Sequence, residues 1–165
     1  MLCFFVTASL NAAYASKDDE YDQLGYKSPV TCEEKYPWTH YGVYKGVQSC
    51  IMNTQKTRID SPFRTFSDAK DESIKGMDFN GNKYVYYLPI RTYEKFPNIV
   101  VYDASGCSLK AIKRENFEGL TKLESLDLRN NNLVRIQNDT FGDLKNLTYL
   151  SLGEPILTTS LIFLN

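Results

Sequence analysis

The sequence predicts an α/β solenoid, in which short parallel strands stack side by side and irregular or short helical segments close the opposite face. The first observation is a repeat: the leucines of LESLDLRNNNL, which starts at residue 123, recur 24 positions later at Leu147, Leu150 and Leu152. The second is the rhythm inside each unit, a short alternating run followed by an asparagine or cysteine. A helix or a strand does not keep this rhythm from end to end, whereas periods of about 20–50 residues are typical of solenoids.

The repeat stays in register from residue 74 to residue 152, giving about four units of which the last is incomplete. The inward strand positions are Ile74, Met77 and Phe79; Ile99, Tyr102 and Ala104; Leu123, Leu126 and Leu128; and Leu147, Leu150 and Leu152. The structural turn positions are Asn82, Cys107 and Asn131, and the spacers carry the aligned Phe117 and Phe141. Because one unit cannot bury its own apolar face, the solenoid depends on contacts between neighbours.

Each repeated position has a physical explanation. Side chains of a strand alternate between its two faces, so the repeated apolar residues point inward and their neighbours form the concave surface. Asn82 and Asn131 are expected to bond backbone groups where the chain leaves the sheet, because an unpaired buried amide costs about 1–3 kcal/mol. Cys107 serves in the same position as a small buried residue.

The pattern LxxLxLxxN/CxL resembles the leucine-rich repeat family over residues 74–152. The resemblance implies a horseshoe with a parallel concave β-sheet and an irregular or short-helical convex side. It also implies a cap over the first unit, which we assign to residues 32–73.

The N-terminal residues 1–15 read as a secretory signal peptide. The segment MLCFFVTASLNAAYAS is apolar and uncharged up to Lys17, and Ala13-Tyr14-Ala15 is a small-x-small cleavage site. A transmembrane anchor is the alternative, but this run and the closing LTTSLIFLN are both shorter than the ~20 residues of a span. We therefore expect a secreted, extracellular chain cut after Ala15, with no membrane span and a flexible leader over residues 16–31.

Secretion determines how the cysteines are interpreted. Cys3 leaves with the signal peptide and Cys107 belongs to the repeat, which leaves Cys32 and Cys50 to form a disulfide in an oxidising compartment. The segments YGVYKGVQSCIM and KTRID, with NTQ near the turn, predict the hairpin of the cap. A zinc site is the competing interpretation, but one distant His40 and the lack of a CxxC motif make it weak.

The whole layout resembles that of secreted or surface leucine-rich repeat proteins of insects, particularly flies, mosquitoes and midges. It consists of a signal peptide, a two-cysteine leader and the segments YYLPIRTYEKFPNI and GCSLKAIKRENFEGLTKLESLDLRNNNL. The resemblance implies extracellular recognition of a protein partner through the concave face. Some members of that group act in innate immunity, so the resemblance also implies such a role as an expectation for this chain.

Residues 153–165 depart from the repeat. Pro155, Ser160 and Asn165 stand where an asparagine, an apolar residue and a phenylalanine are expected. A sheet edge left without a cap is a liability, so we expect this tail to mark a truncated or mis-spliced product of a longer protein. The alternative function is then the truncated ectodomain of a membrane-anchored receptor or adhesion protein, and the uncapped repeat is a candidate surface for homo- or hetero-oligomers.

Neither catalysis nor nucleic-acid binding is expected. The formal net charge is −1, which gives no electrostatic attraction to nucleic acid. The motifs HExxH, GxSxG, GxxxxGK[ST] and GxGxxG are missing, and no cofactor or metal ligand set is recognised. The lone His40 lies in the leader, away from Asp103, Ser105 and Cys107, so no nucleophile is activated there.

The concave positions form the candidate ligand-binding surface. They are Gly76, Asp78, Asn80, Val101, Asp103, Ser105, Ser125, Asp127, Arg129, Tyr149 and Ser151. Three aspartates stack in one column, where repulsion at ~5 Å in water is only about 0.8 kcal/mol per pair. The column is either a solvated acidic stripe or a site for a basic patch of a partner beside Tyr149. A Ca²⁺ site is disfavoured because one carboxylate per strand does not surround the ion.

Two glycosylation sequons lie in the last units. NDT begins at Asn138 in the convex spacer and NLT begins at Asn146 just before the next strand. Both asparagines are expected to face solvent and to accept a glycan in the secretory pathway.

Overall fold

The computed structural model describes residues 30, 32, 34–37, 44–52, 57–66 and 70–153. The proposed signal peptide, nearly all of the leader, the NTQ segment, His40 and the tail from residue 154 lie outside the described residues. The elements are β1 (Glu34–Pro37), β2 (Gln48–Ile51), β3 (Gly76–Asp78), α1 (Thr92–Lys95), β4 (Val101–Asp103), a 3-10 turn (Arg114–Asn116), β5 (Ser125–Asp127) and β6 (Tyr149–Ser151). All six strands form one sheet in chain order.

The sheet confirms the solenoid that the repeat predicts. Strands β2 to β6 are parallel, and Gly76, Val101, Ser125 and Tyr149 are register partners from one strand to the next. The described crossovers from β3 to β4 and from β4 to β5 each contain one short helical turn, Thr92–Lys95 and Arg114–Asn116. Parallel strands need such crossovers because a tight hairpin cannot join them.

The N-terminal cap is a hairpin closed by the disulfide between Cys32 and Cys50, whose Cα atoms are 5.2 Å apart. The pairing of KTRID with β2 was wrong, because the partner of β2 is β1, which runs antiparallel to it. Ile59 of KTRID instead makes a parallel bridge to Val85, one unit further on. The local sequence does not show which segment pairs with β2, because strands in a solenoid pair with the equivalent segments of neighbouring units.

The end of the leader belongs to the core, which corrects the expectation of a flexible segment up to residue 31. Val30 is buried and makes a parallel bridge to Phe66. The Val30 backbone N–H donates to the Thr65 carbonyl at 2.9 Å. Burial of one valine offsets part of the entropy cost of ordering the chain before Cys32.

A column of aromatic rings runs through the core on the convex side of the strands. Phe79 lies 5.4 Å from Tyr102, Tyr102 lies 6.1 Å from Phe117, and Phe117 lies 5.6 Å from Phe141, measured between ring centroids. Phe79, Tyr102 and Phe117 are fully buried. Phe117 and Phe141 are both buried and contact each other, and Phe117 also contacts Tyr102, as expected of residues that close the convex side.

The turn asparagines bond across units as the pattern predicts. The Asn131 amide nitrogen donates to the carbonyls of Ala104 and Leu128, each at 2.8 Å, and its oxygen accepts from the Leu109 N–H at 3.1 Å. The Asn82 amide donates to the Thr57 carbonyl at 2.8 Å. These bonds satisfy backbone groups that no strand ladder reaches.

Cys107 is the buried free thiol of the turn column. Burial first, and the negative charge of Asp103 second, raise the pKa of this thiol to about 12. An unfolded cysteine ionises near pH 8.5, so only the unfolded state loses this proton between about pH 9 and 12. The stability contributed by the protonated thiol is therefore complete below the unfolded pKa and is lost as the pH rises.

We expect the unfolding free energy to fall by about 1.4 kcal/mol per pH unit through this one group above about pH 9. Urea titrations at pH 8, 9 and 10 measure the slope, and Cys107→Ala supplies the control without the thiol. Equal slopes for the wild type and Cys107→Ala over this range would contradict the assignment.

Candidate functional site

The candidate site is the concave face of the sheet and the turns that follow β3, β4 and β5. The predicted residues do align in register there, with Asp78 opposite Asp103 and Asp103 opposite Asp127. Their exposure differs sharply, however. Val101 and Ser125 are buried at 2% and 7% exposure, whereas Tyr149 is 44% exposed. A ligand therefore reaches Tyr149 on β6 more readily than Val101 or Ser125.

The aspartate column, Asp78, Asp103 and Asp127, stabilises the turns that follow the strands. The backbone N–H groups of Asn80, Ser105 and Arg129 donate to the carboxylates two residues before them, at 2.6, 2.8 and 3.1 Å. A short carboxylate that bonds the N–H two residues on makes an Asx turn. Each aspartate thereby ends its strand and directs the chain toward the convex side.

Asp127 does not fit the description of a solvated acidic stripe, whereas Asp78 and Asp103 are only half-buried. Asp127 is only 2% exposed, and its second oxygen lies 3.0 Å from the Arg129 guanidinium. The unfavourable stacking of like charges is thus reduced by an adjacent cation as well as by turn N–H donors. The alternation pattern places a side chain on a face, but it does not reveal this local pairing.

An open polar depression of about 540 Å³ lies where these turns stack. It is lined by Asp78, Asn80, Gly81, Asp103, Ser105, Gly106, Arg129 and Asn130. The lining therefore offers carboxylates, a guanidinium, an amide, a hydroxyl and backbone groups within one shallow surface. Such groups bind polar and charged side chains of a partner, which fits recognition better than enclosure of a small substrate.

The floor of the depression depends on left-handed backbone at equivalent positions of three units. Gly81, Gly106 and Asn130 have φ values of 60°, 65° and 57°. Glycine and asparagine adopt this conformation at the lowest cost. The Lys83 ammonium donates to the Gly106 carbonyl and so ties two adjacent turns together.

The sequence pattern missed a contact at the N-terminal edge of the concave face. The Tyr44 hydroxyl, just before β2, donates to the Glu124 carboxylate, just before β5, at 3.3 Å. Partial burial and the negative charge of Glu124 raise the pKa of Tyr44. A separation of 80 residues leaves no local signal, so this contact is visible only in the folded chain.

A second asparagine column precedes the strands and includes one sequon. The amide nitrogens of Asn98 and Asn146 donate to the carbonyls of Glu72 and Thr121, at 2.9 and 2.6 Å. Asn138 is exposed and lies in the convex spacer. Both sequon asparagines are accessible, but only the Asn146 amide takes part in this contact between units.

We expect a larger glycosylated fraction at Asn138 than at Asn146, because folding engages the Asn146 amide nitrogen. Intact-mass and glycopeptide measurements on chain secreted from eukaryotic cells test this. Asn138→Gln is expected to remove most of the glycan mass and Asn146→Gln little of it. An unmodified secreted chain, or the reverse order of occupancy, would contradict the prediction.

Among the described residues, no group of three or more His, Cys, Asp or Glu side chains is arranged to hold a metal ion. The described segments also contain no helix whose length and apolar character would suit a membrane crossing. The depression on the concave face offers hydrogen-bond donors, acceptors and charges.

Comparison with known proteins agrees with this architecture. Residues 105–154 match the family model described as leucine rich repeat. No curated protein matches the chain. The match covers the units of β5 and β6, and β3 and β4 continue the same register upstream. The family match and the stacked parallel strands together support a leucine-rich repeat protein.

Proposed function

We propose that this chain is an extracellular module that binds a protein partner through its concave face. Leucine-rich repeat domains commonly mediate protein–protein interaction, and their fold is typically a scaffold without catalytic activity. The observation that carries the proposal is the polar depression at the ends of β3, β4 and β5, because it presents charges on turns that the solenoid holds rigid. Rigid presentation reduces the entropy cost of binding.

The chemistry of the depression favours a partner segment that carries basic side chains. Asp103 is half-buried and uses one oxygen for its own turn. A carboxylate has about four acceptor sites, so Asp103 retains capacity for a donor from the partner. Tyr149, exposed on β6, supplies an aromatic contact at the edge, and such residues are enriched among energetic hot spots.

The extracellular setting is part of the proposal and rests on two features. The Cys32–Cys50 disulfide suits an oxidising compartment. The apolar segment before Ala15 resembles a signal peptide. The likeness to insect proteins extends the proposal to innate immune recognition, in which the partner is a protein of the body fluid.

The compartment is tested by expressing the chain with its own N-terminus in insect cells. We expect secreted protein whose first residue is Ser16 and whose non-reduced peptide map links Cys32 to Cys50. Retention inside the cell with Met1 intact would reject the extracellular setting while leaving the binding surface untouched.

The binding surface is tested with a partner cross-linked from body fluid and then purified. Asp103→Asn keeps an oxygen for the Ser105 N–H but removes the charge, so we expect slower association and a weaker dependence on salt. Tyr149→Ala is expected to speed dissociation. Glu118→Gln, which makes the same charge change at an exposed residue of the convex spacer, is the matched control. Identical kinetics for Asp103→Asn and Glu118→Gln would exclude the depression as the site.

A further inference from the structure

A separate apolar cavity of about 300 Å³ lies among segments of the cap and of the first two repeat units. Its lining includes Pro62, Phe63, Tyr87, Ile90, Ala111 and Lys113. None of these residues belongs to the sheet or to the polar depression, so the cavity is distinct from the proposed protein-binding surface. Its volume is near the lower limit for small-molecule sites, which is about 300 Å³.

The walls of this cavity are fixed by hydrogen bonds between units. The Ile90 N–H donates to the Arg64 carbonyl at 2.9 Å, which holds the segment of Phe63 against the first repeat. Asn116, which also lines the cavity, donates to the Leu88 carbonyl at 2.9 Å and accepts from the Lys113 N–H at 2.7 Å. The cavity is therefore a preformed feature of the fold and does not require a partner to open it.

The charge of the lining is concentrated in one cation. Both ends of the Asn116 amide are engaged with backbone groups. Lys113 is the charged residue of the lining, and its side chain is exposed. Within the described residues, the ion pairs involve other cations. An anion that reaches Lys113 from the cavity therefore displaces no carboxylate of the described residues.

Phe63 adds a second indication of a ligand. It is 65% exposed, although an aromatic ring of this size gains most from burial. The ring lines the cavity, so a bound molecule would bury apolar surface of Phe63 as well as apolar surface of the molecule itself.

We propose that the cavity binds a small amphipathic carboxylate, such as a medium-chain fatty acid, with its apolar part among Phe63, Tyr87 and Ile90 and its carboxylate at Lys113. The volume sets the size of the ligand, the lining requires an apolar body and the lysine selects a negative head group. This inference is independent of the concave surface and of the protein partner proposed above.

The test uses octanoate and octanol, which share a chain of eight carbons and differ in charge. Amide chemical shifts of the whole secreted chain are followed by NMR during titration. We expect octanoate to shift residues near Ala111 and Tyr87 and to bind more tightly than octanol. Lys113→Met keeps the apolar stem and is expected to weaken octanoate about two- to fivefold, the range of a solvent-accessible ion pair, without changing octanol. Lys145→Met, an exposed lysine of another unit, is the control.

Two further variants separate the site from nonspecific binding. Ala111→Phe fills the cavity and is expected to abolish the shifts, while Phe63→Ser alters an exposed ring and is expected to weaken both ligands. Circular dichroism confirms that each variant is folded. The proposal is overturned if octanoate shifts no cavity residue, if Lys113→Met binds it as the wild type does, or if Phe63→Ser changes nothing. Self-association through this face, seen by sedimentation and insensitive to octanoate, would also overturn it.

Discussion

Replacing Gly119 with alanine is expected to lower the free energy of unfolding by about 2–5 kcal/mol. Gly119 has a φ of 73°, where a side chain costs about 1–2 kcal/mol. A Cβ added there would also lie 2.7 Å from the Cδ1 atom of Tyr93. Overpacking of this kind costs about 1–3 kcal/mol. The convex segments of two adjacent units therefore pack closely at a glycine, and a larger residue there is destabilising.

Gly46→Ala is the matched control for this substitution. Gly46 has a φ of 87°, and an added Cβ would meet nothing within 4 Å. It therefore carries the backbone cost without the steric one, and the difference between the two variants measures the contact with Tyr93. Urea unfolding gives both values. If Gly46→Ala destabilises as much as Gly119→Ala, or if Tyr93→Ala fails to reduce the Gly119→Ala penalty, the packing explanation is wrong.

The periodic features of the fold were predictable because each unit repeats the same local chemistry. The inward positions, exemplified by Leu126, and the turn asparagine Asn131 follow from spacing alone, since alternation and burial fix them independently of distant residues. The contact of Gly119 with Tyr93 was not predictable in this way. It lies in the spacer, where the units differ in sequence and only the folded chain decides which side chains meet.

The candidate site was predicted less completely than the fold. Alternation placed Asp103 and Asp127 on the concave face, but the Asx turns and the pairing of Asp127 with Arg129 depend on local geometry. The burial of Val101 likewise depends on surrounding structure that spacing does not reveal. The cavity beside Lys113 gave no sequence signal at all, because its walls come from the cap and from two repeat units.

Loss of the Cys32–Cys50 disulfide is the second large effect that we expect. The two cysteines are 18 residues apart, and closing a loop of this size stabilises a chain by about 3 kcal/mol in the chain-entropy model. The double variant Cys32→Ala with Cys50→Ala is therefore expected to lose about 3 kcal/mol of unfolding free energy. Removing both cysteines also prevents exchange with the Cys107 thiol, which becomes accessible on unfolding.

The location of the destabilised amides distinguishes loss of the disulfide from a general loss of packing. The disulfide ties the residue just before β1 to β2, and the hairpin of β1 and β2 covers the first edge of the parallel sheet. Hydrogen exchange should therefore accelerate at the β2 and β3 amides, with β5 affected least, because each unit contacts mainly its neighbours. A reducing agent should destabilise the wild type by a similar amount and leave the double variant unchanged. Uniform acceleration across β2 to β5, or a reductant effect on the double variant, would show that the cap does not stabilise the solenoid through this bond.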